Sequence, residues 1–132
     1  MRARARTVNL AEAPQQIRLY LGQLLITPGK VYDVHAVAVF EGITVLQIID
    51  DLRYPSWKPA WLFETDDCTI PSDWICNTFH SEPSLIVGPN FVARDAESYR
   101  AMVEMEPIQT NSFWQRVNEH RAEHNDKENI DT

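Results

Sequence analysis

Glycine is scarce in this sequence: four residues among 132, scattered at positions 22, 29, 42 and 88. A phosphate-cradling loop or a dinucleotide fingerprint needs clustered glycines so that the backbone can approach the phosphate, so both are excluded. Cysteine is scarcer still, with Cys68 and Cys76 alone. Two cysteines make no disulfide framework, and no C-x2-C knuckle offers a zinc corner. No run reaches the roughly 20 apolar residues of a membrane-spanning helix. A nucleophile elbow of the G-x-S-x-G type is also missing. The centre of the chain is short of positive charge. Between residues 30 and 106 there are five basic residues against thirteen acidic ones, a net of −8 in a chain whose formal charge is −7. That field repels a phosphate backbone and excludes nucleic acid as a partner. It suits a protein partner with a basic surface.

The first six residues alternate arginine with small residues, like the start of a signal peptide, but no apolar stretch follows. A cytoplasmic protein with reduced cysteines is expected, with no membrane attachment and no cofactor. A homodimer is compatible with this composition.

What is present reads as one α+β domain. Residues 1–9 are expected to be a flexible terminus. The domain is expected over 10–124, β-rich over 24–93, with helices at about 95–106 and 112–124 and a disordered tail over 125–132. Ile17, Leu21, Leu24 and Leu25 have helical spacing after Pro14, although 24–26 could instead open a strand. Residues 31–40 carry the strongest β signal. Tyr32, Val34, Ala36, Ala38 and Phe40 share a parity that reads as the core face. Glu41-Gly42 turns the chain into a returning strand over 43–49. Shorter strands are expected at 60–64, 73–80 and 84–87, with 91–93 continuing the last. Asp95 is a helix N-cap and Pro107 a stop. Ser112 with Gln115 forms a capping box for a second helix, whose buried side is Phe113, Trp114 and Val117. Short strands at this spacing suggest a small barrel or a strongly bent antiparallel sheet, followed by two C-terminal helices.

Three constellations could carry chemistry. His120-Arg-Ala-Glu123-His124 matches H-x-x-E-H, which on a helix puts two imidazoles on one face with a carboxylate as base. It supports an alternative reading as a metal-dependent hydrolase, but a third ligand and an enclosing wall are missing from the pattern. Cys68, Cys76 and His80 are too widely spaced for a zinc module, and Cys76 reads as a small core residue. The third is an acidic and aromatic group. Asp50, Asp51, Asp66 and Asp67 sit where turns are expected, beside Tyr54, Trp57 and Trp61. Phe63 and Trp74 read as core, and Tyr54 and Trp57 as exposed anchors.

The segment Gly29-Lys-Val-Tyr-Asp-Val34, the hairpin, Tyr54-Pro-Ser-Trp57 and Pro59-Ala-Trp-Leu-Phe-Glu64 resemble the SH3-like barrels of small bacterial proteins. The similarity covers residues 28–80. It implies a peptide- or protein-binding module that uses Tyr54, Trp57 and Trp61. In size, charge and lack of a catalytic set the chain is also similar to acidic immunity proteins. The expected function is therefore a non-catalytic protein-binding domain, in its most concrete form an immunity or inhibitor protein that caps a basic partner. The binding residues would be Asp50, Asp51, Tyr54, Trp57, Trp61, Asp66 and Asp67. A structural subunit of a larger assembly, phage-derived or otherwise, is the remaining alternative.

Overall fold

A computed structural model describes the backbone of residues 1–130 and the side chains of residues 1–121. The chain is α+β, with two antiparallel sheets followed by C-terminal helices. One sheet has three strands in the order β2-β1-β6, from β1 (Arg2–Ala5), β2 (Val31–Asp33) and β6 (Phe63–Asp67). The other has five in the order β5-β4-β3-β8-β7, from β3 (Ala36–Phe40), β4 (Ile43–Ile49), β5 (Pro55–Pro59), β7 (Ile75–Thr78) and β8 (Leu85–Gly88). The helices are α1 (Asn90–Ala93), α2 (Ala96–Val103) and α3 (Pro107–Ile130). Neither sheet closes on itself, so of the two expected arrangements, open sheet or barrel, the closed barrel is not formed.

The layering follows from β4. Its sequence, ITVLQII, is apolar at nearly every position because both of its faces are covered. Leu46 and Ile48 pack with Ala3, Ala5, Tyr32, Val34 and Phe63 of the small sheet. Ile43 and Val45 pack on the other side with Ala36, Ala38 and Ile86, against Met102 of α2 and Phe113 and Val117 of α3. The five-stranded sheet is thus the middle layer. Ala36 and Ala38, both fully buried, and Gly88 let the chain approach closely there. A Cβ at Gly88 would stand 2.8 Å from the Ala36 Cβ, closer than packed carbons allow.

The terminus expected to be loose is instead the central strand of the small sheet. β1 pairs on one side with β2 and on the other with β6. Its Arg-Ala-Arg-Ala sequence alternates with period two. Ala3 and Ala5 are buried, and Arg2 and Arg4 point outward. Alanine is a weak apolar signal, which hid the strand.

The β signal over 31–40 is two strands in different sheets. The chain crosses between them at Val34-His35, and Tyr32, Val34, Ala36 and Ala38 are all buried as their parity requires. The β3–β4 hairpin turns on Glu41 and Gly42, both at positive φ (51° and 77°), which is the backbone of a type I′ turn.

The first helical segment is two 3-10 stretches, Leu10–Glu12 and Gln15–Tyr20, and residues 24–26 form no strand. Residues 60–62 are a 3-10 turn, so β6 starts later than expected and runs through the expected turn at 65–67. Residues 91–93 belong to α1 rather than to a strand. Asp95 does cap α2, its carboxylate accepting from the Ser98 N–H at 2.7 Å. That helix ends in a Schellman arrangement. Met105 sits at φ 55° and donates to Met102, and Glu106 donates to Ala101. Pro107 is then the first residue of α3, where its missing N–H costs nothing. Ser112 therefore lies inside a helix and forms no capping box.

Candidate functional site

The β4–β5 loop is built around Asp50. Its backbone N–H donates to the Tyr54 carbonyl at 2.9 Å, and the Arg53 N–H returns to the Asp50 carbonyl. Its carboxylate accepts from the N–H groups of Leu52 (2.9 Å) and Tyr54 (3.1 Å). Asp50 is 5% exposed, whereas Leu52 and Tyr54 stand 57% and 58% exposed. Arg53 takes φ 69° to complete the turn. Lys58 lies buried nearby and donates to the Gln23 carbonyl at 3.1 Å. Burial pushes its ammonium below the usual lysine range, and the Asp50 charge opposes that shift.

The other expected docking carboxylates are engaged within the chain. Asp51 accepts from the Tyr32 hydroxyl (2.7 Å), the Thr27 hydroxyl (2.8 Å) and the Lys30 ammonium (3.1 Å). The Tyr32 hydrogen bond leads in holding its carboxyl below the usual range. Asp66 pairs with Arg4 at 3.1 Å and with Arg2 at 4.0 Å. Asp67 accepts from the Thr69 N–H, which lowers its carboxyl, and lies 3.8 Å from Arg2. Each carboxylate therefore binds hydroxyls or backbone N–H groups of its own chain or balances a lysine or arginine.

The aromatic residues divide in the same way. Tyr54 is exposed, as expected. Trp57 is half-buried, edge-on to Tyr99 with ring centres 5.1 Å apart. Trp61 is covered by the Arg6 guanidinium at 5.4 Å. Phe63 is core, and Trp74 is partly buried.

Cys76 is exposed, contrary to its reading as a core residue. The register of β7 explains this. Asn77 points inward and donates to the Ala93 carbonyl at 2.7 Å, so its neighbour Cys76 points out. Cys68 and His80 are exposed as well. Among the described residues, no three His, Cys, Asp or Glu side chains are placed to hold a metal ion. Of the H-x-x-E-H group, His120 is described, and the side chains of Glu123 and His124 lie outside the described residues. No described helix is long and apolar enough to cross a membrane.

Sequence reasoning missed the burial of Gln47 and the partly buried setting of His35. His35, at the crossing between the sheets, is edge-on to Phe113 at 5.0 Å, and burial pushes its imidazole down to about 4. Gln47 is 1% exposed on β4, and its amide makes no hydrogen bond to a described residue. The strong apolar pattern around each concealed them. His35 lines a cavity of about 690 Å³ whose apolar wall includes Val34, Ile49 and Trp74. No family model, curated protein or solved structure matches this chain.

Proposed function

We propose that this chain is a non-catalytic protein-binding domain that engages its partner through the Leu52-Arg53-Tyr54 knuckle of the β4–β5 loop. One observation carries this reading. A buried carboxylate, Asp50, fixes the loop from inside while two large apolar side chains stay more than half exposed. A loop already ordered in the free protein loses less entropy on binding. Tyrosine anchors of this kind often dominate interface energies. The net charge of −7 favours a basic partner, through steering by the whole field rather than through a dedicated aspartate contact. An immunity or inhibitor role is the concrete form of this proposal.

The test is a comparison of native chain and the Leu52→Ser, Tyr54→Ser double variant as baits in a lysate of the source organism. The expected result is a protein retained by the native chain, lost with the variant, and released by salt. Both substitutions are at exposed positions, so the thermal midpoint should hold. Identical retention by both baits would remove the knuckle from the account.

A further inference from the structure

The cavity beside His35 lies where β1, the β2–β3 crossing, the loop before β7 and α3 meet. Its polar lining contrasts with the rest of the protein. Arg2, Arg116 and Arg121 face it together with His35 and His120, and Asp33 is the one carboxylate among the described lining residues. Asp73 offsets Arg116, so the loosely paired Arg2 and the exposed Arg121 are the guanidiniums left to meet an anion there. We propose that the cavity binds a small organic anion, a phosphate or carboxylate joined to a flat apolar body.

Each part of that ligand has a counterpart. Arg116 is held in place by a two-pronged ion pair with Asp73, and its side chain is 18% exposed. Its guanidinium is therefore taken up by Asp73 and holds α3 against the loop before β7, fixing that wall of the cavity. Arg2 is 52% exposed, and its contacts with Asp66 and Asp67 are long, at 4.0 and 3.8 Å. Pairs of that length and exposure are weak, so Arg2 can turn toward an anion at small cost. Arg121 is exposed at the rim. His35 stays neutral near pH 7, so the lining offers an uncharged imidazole. Arg116 and His120 push His35 the same way, while Asp33 opposes them, which places these charges around one space. Trp74 and Ile49, both partly buried, supply the apolar surface for the body of the ligand. A volume of about 690 Å³ falls in the range of small-molecule sites.

The experiment is a titration of the isotopically labelled chain, reading the Trp74 indole N–H and the Val117 amide by NMR. The probes are 1-naphthyl phosphate, 1-naphthoate, inorganic phosphate and 2-naphthalenemethanol. The first two carry both features, and the last two carry one each. Saturable shifts with naphthyl phosphate or naphthoate are expected, with inorganic phosphate and the alcohol at least about tenfold weaker. The stronger of the two aromatic anions identifies the head group. Arg121→Glu should weaken binding by about tenfold or more with an unchanged thermal midpoint, because that side chain is exposed. Arg2→Ala should weaken it by a smaller factor. Failure of both aromatic anions to saturate by about 10 mM, or equal binding by Arg121→Glu, would overturn the proposal. Neither residue belongs to the β4–β5 knuckle, so this test and that of the protein-binding reading fail independently.

Discussion

Asp50-Asp51 and Asp66-Asp67 are the same dipeptide, and the fold uses them in opposite ways. Asp50 is almost fully buried and spends its carboxylate on two backbone N–H groups of one loop. Asp66 lies at the end of a strand and faces arginines across the small sheet, in water. Composition cannot tell these pairs apart; the dielectric around them can. A buried acceptor that leaves donors stranded is costly to remove, whereas an exposed ion pair is worth little.

The largest expected effect is at Asp50. Asp50→Ala strands the Leu52 and Tyr54 N–H groups and removes the charge beside buried Lys58, so it should cost about 3 kcal/mol in urea unfolding. A loss as small as that of an exposed pair would erase the contrast between the two dipeptides.

An acid titration sharpens it next. His35 in the fold is pushed from 6.5 down to about 4, so the unfolded chain takes up a proton that the folded chain refuses. Stability is therefore full above about pH 6.5 and falls as pH drops toward 4, by about 2 kcal/mol at pH 5. The lowered carboxyls, Asp51 and Asp73 among them, have ordinary values near 3.8, so their contribution is lost only at lower pH. His35→Phe should flatten the curve between pH 6.5 and 4 and leave the acid limb below it. A curve flat down to pH 4 in the native chain would place His35 in water.

The smallest effect is expected at the other dipeptide. Asp66→Asn should cost about 0.5 kcal/mol or less, and 0.5 M salt should reduce that difference further. A cost near that of Asp50→Ala would mean that the arginine contacts of β1 hold the small sheet together.

Local signals were legible where one interaction decides the outcome. The parity of Tyr32, Val34, Ala36 and Ala38 found the buried face, and Glu41-Gly42 found the hairpin. Asp95 found the start of α2. Signals failed where a partner distant in sequence decides. Burial parity is continuous across Val34-His35, so nothing in it marks the change of sheet. The Arg-Ala repeat needs β2 and β6 on either side to become a strand. Pro107 serves both as the limit of one helix and as the first residue of the next. At the candidate site, the exposure of Tyr54 was legible from its loop of turn residues. The burial of Asp50 was not, because the next residue is chemically identical and points to Tyr32 instead.

Amide hydrogen exchange in the β4–β5 loop of the native chain tests the preformed knuckle most directly. Slow exchange is expected at Leu52 and Tyr54 although their side chains face water, and fast exchange at both in Asp50→Ala. Free-loop exchange rates at both amides in the native chain would contradict it.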